Sequence, residues 1–327
     1  FRAKTFDQLF EGVKALPWEE FIPADGAFPV KGHSLDSALH SIPDCQKIVK
    51  KAIVDRLGET YGIETFEETG AEYTVKATLL KDRVTLTVDT SGTGLHKRGY
   101  RQADVAAPIK ETLAAAMIQL SFWNADRILI DPCCGSGTIP VEAAMIGRNI
   151  APGLNRSFAC EGWELIDESI WKEEKKAAFE AIRYDKKLQI YGFDINKKAV
   201  SVARENAGEA GVDDCIVFGR NDVANLRAVG KNGIIITNPP YGERIGEAEQ
   251  IEAIYKAIGG FMTEHPDWSL FMVTTDKEAE EWGERRSAGG SSTTADLKCA
   301  TISSTEKECR ISLCMQHMES AGYPAFY

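Results

Sequence analysis

The tetrapeptide Asn238-Pro239-Pro240-Tyr241 closes the apolar run Ile234-Ile235-Ile236-Thr237, so an unusual polar cluster stands at the end of a buried strand. Neither proline carries a backbone N–H, and their rings fix the chain, which leaves the Pro239 carbonyl without a competing local donor. The Asn238 side-chain oxygen is a second acceptor. Two convergent acceptors suit an exocyclic NH2. The lone pair of such an amine is delocalised into its ring; drawing both N–H bonds toward fixed acceptors helps to free it for in-line attack on a sulfonium methyl. Tyr241 offers a face on which a base can stack. Position and electrostatics carry that chemistry, so it requires no His or Cys nucleophile. In isolation Asn-Pro is also a common turn former.

The company of the tetrapeptide decides between these readings. Asp131-Pro132-Cys133-Cys134-Gly135-Ser136-Gly137-Thr138 follows another buried strand and precedes a helix that begins near Ile139. Its glycines let the backbone turn sharply and approach a ligand at the carboxyl end of the first strand of a nucleotide-type sheet. A dinucleotide fingerprint would demand a third glycine where Pro140 stands and an acidic residue about 20 positions further on. Both are missing. The next strand-end carboxylate is Asp194, in Tyr191-Gly192-Phe193-Asp194, after an insertion running roughly from Arg148 to Gln189. Such a carboxylate can accept both ribose hydroxyls of an adenosyl group.

The elements that must position these residues are legible from Ala103 onward, where helices alternate with short buried strands. That alternation is the signature of an α/β doubly wound, Rossmann-like parallel sheet. Strands are expected near Ile128–Ile130, Ile190–Phe193, Ile216–Phe218, Ile234–Thr237 and Leu270–Val273. A helix from Asn196 to Ala210 gathers Ala199, Val200, Ala203 and Ala207 on one face. Upstream, Phe6, Leu9, Phe10 and Val13 share a helical spacing that Pro17 ends. Pro43-Asp44 is expected to cap a second helix with an apolar stripe at Cys45, Ile48, Val49, Ala52, Ile53 and Leu57. Lys47, Lys50, Lys51 and Arg56 fall on another face, which suits an RNA contact as well as it suits ordinary solvation. Alternation at Tyr73-Val75-Ala77-Leu79 and Val84-Leu86-Val88 around Lys81-Asp82 predicts a hairpin. The first hundred residues thus form a small α+β module. Lys97, Arg98 and Arg101 around Tyr100 make the linker out of it basic.

A chain of 327 residues favours two domains. Its net charge of −11 argues against nonspecific binding along a polyanion, so any nucleic-acid contact has to come from a local basic patch. No stretch approaches the roughly 20 consecutive apolar residues of a membrane span. Phe1-Arg2-Ala3-Lys4 lacks the build of a signal peptide, and the missing initiator Met suggests a fragment. The eight cysteines show no CxxC spacing, so no metal site is expected and they read as reduced thiols of a cytoplasmic protein.

Together these residues resemble the THUMP-domain, S-adenosylmethionine-dependent methyltransferases of the bacterial large-subunit 23S rRNA guanine-N2 type. The likeness is carried by Ser41-Ile42-Pro43-Asp44-Cys45-Gln46, Leu95-His96-Lys97-Arg98-Gly99-Tyr100-Arg101, the Asp131 loop with Glu142-Ala143-Ala144, and Asn238-Pro239-Pro240-Tyr241-Gly242-Glu243-Arg244. The resemblance implies S-adenosylmethionine contacts from Pro108, Lys110 and Glu111, from Asp131, Pro132, Cys134, Gly135, Ser136, Gly137 and Thr138, and from Asp194, Ile195, Asn221, Asp222 and Asn238. Asp222 would take the adenine amino group, and the module before the linker would bind structured RNA. The implied boundaries are residues 1–22, a remnant of a ferredoxin-like domain; 23–102, a THUMP domain with its linker; and 103–285, the methyltransferase domain. Residues 286–327 lack the family's ending, Arg-Lys-Leu-Tyr-Asn-Gly and two further strands. Gly289–Ala295 can be encoded by a string that gives that hexapeptide when read two bases later. The tail therefore reads as a frameshifted ending, with the last strand pair absent or badly formed and the sheet edge beyond Leu270–Val273 exposed.

Three competing readings remain open at this point. The same tetrapeptide serves adenine N6 in RNA or DNA, and it serves a protein glutamine amide, which would not need the basic module. A noncatalytic RNA-binding protein with a vestigial cofactor fold is the alternative from another class.

Overall fold

The isoleucines of Ile234–Thr237 are apolar on both sides because that strand runs through the middle of a sheet covered on both faces. The computed structural model describes residues 1–102, 108–240, 248–274, 299–305 and 308–312. It divides into two units, Phe1–Leu95 with Arg156–Ala177, and His96–Asn155 with the described residues from Ala178 onward.

In the first unit, helix α1 (Phe6–Lys14) is capped by the Thr5 side chain and buries Leu9 and Val13. Strand β1 (Val30–Leu35) is followed by helix α2 (Ile42–Tyr61), then by β2 (Val75–Leu80) and β3 (Arg83–Val88). The expected hairpin is present: β2 and β3 pair antiparallel, and Lys81 and Asp82 both take positive φ, the backbone of a tight two-residue turn. β1 pairs parallel with β2, a strand the sequence pattern does not announce. α2 begins one residue before Pro43, with Ser41 at the cap position, so Pro43 lies in the first turn rather than capping it. Leu9 and Val13 share one buried cluster with Val49, Ile53, Leu57, Tyr73 and Val75. The boundary expected at residue 22 is therefore absent, because residues 1–22 help to build this core. Cys160 and Trp163 from the insertion complete the same cluster, with the Trp163 ring stacked on Tyr73 at 4.7 Å between centroids.

The second unit contains α3 (Glu111–Leu120), β4 (Leu129–Asp131), α4 (Thr138–Gly147), and β5 (Ile190–Asp194), which follows the insertion and its helix α5 (Glu168–Glu180). After these come α6 (Lys197–Glu209), β6 (Ile216–Arg220), β7 (Ile234–Thr237), α7 (Ala248–Glu264), β8 (Ser269–Thr274), β9 (Cys299–Thr305) and β10 (Glu308–Ser312). The sheet order is β10-β9-β8-β7-β4-β5-β6, parallel except for β10. Alternate residues face opposite layers. Leu129, Ile234 and Ile236 pack with Ile118, Ile139 and Ala203, whereas Ile130 and Ile235 pack with Ile258 and Phe261 of α7. The doubly wound architecture is as expected. The tail is not: β9 runs parallel to β8 with Leu270 opposite Cys299, and β10 returns against β9, so the exposed edge expected beyond β8 is covered. A ladder is made by backbone groups, and the β-branched Thr301, Ile302 and Thr305 favour extended chain whatever their reading frame. Among the described residues no helix is long and apolar enough to cross a membrane.

Candidate active site

β4 and β7 lie side by side where the strand order reverses, so the loops leaving their carboxyl ends open into one crevice. The first loop turns through Gly135 and Gly137, at φ 54° and 82°. A Cβ at Gly137 would lie 2.9 Å from the Ala203 methyl of α6, so close packing as well as conformation demands glycine there. The loop is pinned to β5: the Cys134 N–H donates to the Phe193 carbonyl (2.8 Å) and the Gly135 N–H to Asp194 Oδ2 (2.9 Å). Asp194 Oδ1 accepts the Asn196 N–H at 2.8 Å. Each oxygen keeps a lone pair for a further donor. Beside Asp194, the Asn221 N–H donates to the Asp194 carbonyl (3.1 Å), while exposed Asp222 accepts the Ala224 N–H (2.9 Å) and Ile195 stands 59% exposed. The expected adenosyl contacts Asp194, Ile195, Asn221 and Asp222 thus share one rim.

Beneath that rim Asp131 is 1% exposed. Its Oδ1 accepts from Thr237 Oγ1 at 2.7 Å and from the Cys133 N–H at 3.1 Å. Burial pushes this carboxyl up to about 7; the two hydrogen bonds oppose the rise and the Asp194 charge adds to it. Thr237, a lone hydroxyl in a run of isoleucines, is fully buried, and the sequence pattern alone gives it no role. It ties the strand end that carries Asn238 to the strand end that carries the glycine loop. Burial also pushes the Cys133 thiol up to about 12 and Cys134 well above its ordinary value, so neither is a thiolate nucleophile at neutral pH.

Asn238 stands next to Thr237, partly buried, with Pro239 buried and Pro240 exposed; Tyr241 lies outside the described residues. Asn238 Oδ1 is inaccessible to solvent and has no hydrogen-bond partner among the described residues. Leaving a buried acceptor unpaired costs about 1–3 kcal/mol, so the atom has an open place for a donor.

The structure redirects several other expected site residues. Pro108 and Lys110 are exposed ahead of α3, but Glu111 is buried and accepts from Arg101 Nε at 2.8 Å. Ser136 Oγ and Thr138 Oγ1 also accept from Arg101, at 3.2 and 2.9 Å, so these side chains point into the protein and leave only the loop backbone for a ligand. Pro132 is buried too. Of the expected RNA contacts, Lys47, Lys51 and Lys97 are exposed. Lys50 is occupied, its Nζ 2.5 Å from Glu68 and 3.5 Å from the centre of the Phe28 ring. Arg98 lies 3.6 Å from Glu142, with 11% of its side chain exposed, and the Tyr100 hydroxyl donates to the same carboxylate at 3.0 Å. Arg98 and Arg101 are therefore internal to the second unit, because buried Glu142 and Glu111 need cations there.

A family profile described as the RMKL-like methyltransferase domain matches residues 98–296, which include both loops and every strand from β4 to β8. The chain belongs to the RMKL-like methyltransferase family. A THUMP domain profile matches residues 3–89, in agreement with the core that takes in α1. Among relatives of the family, YpsC of Bacillus subtilis (strain 168), provisionally named as an RNA methyltransferase, is 50% identical over 86% of this chain and 74% of its own length. Ribosomal RNA large subunit methyltransferase K/L of Syntrophotalea carbinolica is 35% identical over 85% of this chain. The chain spans only 41% of that longer relative. The solved structure of SMU.472 complexed with SAH is similar at a TM-score of 0.80 and 42% identity, over 86% of this chain and 75% of that one.

Proposed function

We propose that this chain transfers a methyl group from S-adenosylmethionine to the exocyclic N2 amine of a guanine in large-subunit ribosomal RNA. The observation that carries the reading is the buried Asn238 Oδ1 at the end of β7, unpartnered among the described residues. It is followed by two residues that bring carbonyl acceptors and no N–H. A donor from a planar aromatic amine satisfies that acceptor without introducing a charge. S-adenosylmethionine supplies an electrophilic methyl on a sulfonium, with a neutral thioether as the leaving group. The fit of the chain to that cofactor rests on its donor set. The Gly135–Gly137 backbone allows close approach, the Asp194 carboxylate has capacity for ribose hydroxyls, and the Asp222 carboxylate sits on the same rim. Asn238 Oδ1 and the Pro239 carbonyl would hold the amine so that its lone pair faces the methyl. The SAH complex of SMU.472 and the names of the K/L relatives support the cofactor and the RNA class. The THUMP match supports an RNA rather than a protein amide as the acceptor.

The test is to incubate the purified chain with unmodified ribosomal RNA and S-adenosylmethionine, digest the RNA, and identify methylated nucleosides by mass spectrometry. N2-methylguanosine is the expected product, lost with Asn238→Ala. N6-methyladenosine would overturn the guanine assignment, and no methylated nucleoside would overturn the activity.

A further inference from the structure

Arg101 sits in a linker whose basic residues suit a phosphate contact, yet only 14% of its side chain is exposed and its guanidinium is committed inward. Nε donates to Glu111 Oε1 at 2.8 Å and Nη1 to Ser136 Oγ at 3.2 Å. Nη2 donates to the Ile109 carbonyl at 3.1 Å and to Thr138 Oγ1 at 2.9 Å. Ser136 and Thr138 flank Gly137, the left-handed residue from which α4 starts without a side-chain cap. Ile109 and Glu111 belong to the entry of α3. One planar fork therefore ties the glycine loop to a segment distant in sequence. The next linker residue repeats the tie from a second side: the Gln102 N–H donates to Asn206 Oδ1 at 3.2 Å, and Asn206 Nδ2 donates to the Ser136 carbonyl at 3.0 Å. A loop with two glycines has more backbone freedom than its neighbours, and anchors on both sides of Gly137 restrict it beyond its hydrogen bonds to β5. Lysine cannot substitute, since an ammonium is a point donor and these acceptors are spread around a rigid plane.

We propose that Arg101 is a positioning residue for the cofactor loop, its guanidinium holding Gly135–Thr138 against Ile109–Glu111 in the arrangement that binds S-adenosylmethionine. The proposal rests on the reading of the Gly135 loop as the cofactor cradle. It assigns a linker residue to cofactor affinity and removes it from the RNA interface.

The test is calorimetric titration of S-adenosylmethionine into the full wild-type chain, Arg101→Ala, Arg101→Lys and the double variant Ser136→Ala/Thr138→Val. Melting temperature and the salt dependence of RNA binding are measured alongside. Arg101→Ala is expected to raise Kd about tenfold or more, equivalent to about 1.4 kcal/mol, and Arg101→Lys to recover little of it. Millimolar guanidinium should restore part of the affinity of Arg101→Ala and none to the wild type. The Arg101→Ala effect should shrink when combined with the double variant, because the two changes break the same bonds. The RNA salt slope should not move. An unchanged Kd in Arg101→Ala overturns the proposal alone, as does a lower melting temperature with unchanged Kd and no guanidinium rescue. A salt slope reduced by about one restores the phosphate-contact reading. Absence of binding by the wild type overturns the cradle reading and the proposal with it. Should Arg101→Ala fail to fold, the double variant carries the test: a clear rise in Kd supports the proposal and an unchanged Kd overturns it.

Discussion

Replacing Asp131 by Asn turns the buried floor of the crevice into a measurement. The amide is isosteric, and its oxygen still accepts from Thr237 Oγ1 and the Cys133 N–H, so packing and both hydrogen bonds survive while the titration is removed. In the folded chain burial raises the Asp131 carboxyl to about 7, against about 3.9 when it is free in water. For an acid displaced upward, the unfolded state loses its proton first. The native state is favoured in full below the unfolded value, and that advantage drains away as pH rises toward the folded value. Each pH unit of displacement is worth about 1.4 kcal/mol, so the whole difference approaches about 4 kcal/mol, of which about 2 kcal/mol falls between pH 5 and 7. Urea unfolding of wild type and Asp131→Asn at pH 5, 6, 7 and 8 isolates this part, since the other ionisations cancel in the difference. The variant should gain relative stability steadily up to pH 7 and then level off. A difference that stays flat from pH 5 to 8 would refute the reasoning, and with it the claim that Asp131 is sealed from water.

Asn238→Ala should lower the rate of methyl transfer by about 10² or more while leaving S-adenosylmethionine affinity nearly unchanged, measured as kcat against calorimetric Kd; near-normal turnover would remove the tetrapeptide from the chemistry. Asp194→Ala should weaken S-adenosylmethionine binding, since each hydrogen bond to a charged acceptor contributes about 1.5–3 kcal/mol and the Gly135 N–H loses its anchor as well; an unaltered Kd would place the ribose elsewhere. Charge reversal at Lys47 and Lys51, both exposed on α2, should weaken RNA binding and flatten its salt dependence by about one per lost phosphate contact. A constant slope would mark that face as ordinary solvated surface.

The strands of the catalytic unit were legible because a fully buried parallel strand leaves an unmistakable apolar run, and both chemical loops announce themselves where such runs stop. β1 was hidden: Gly32 and Ser34 interrupt the alternation that defines a half-buried strand, and its pairing with β2 is a long-range fact. The linker was misread for a related reason. Arg98 and Arg101 look like surface cations until the fold brings Glu142 and Glu111 beneath them. Which carboxylate a cation meets depends on chain crossing, which periodicity does not encode. The strand pair after Ser287 escaped because backbone ladders require no particular side-chain rhythm.

The insertion Arg156–Ala177 belongs to the unit that starts at Phe1, so the chain leaves that unit, builds the glycine loop and α4, and comes back to finish it. On a ribosome this forbids simple folding from the amino terminus. Tyr73 waits for Trp163, and the first core closes only after α3, β4 and α4 of the second unit have emerged. Experimenters who cut after Leu95 to obtain a minimal RNA-binding fragment would therefore leave Tyr73 without its ring partner. A circularly permuted or linker-bridged version that carries the insertion along is the fragment whose core is whole.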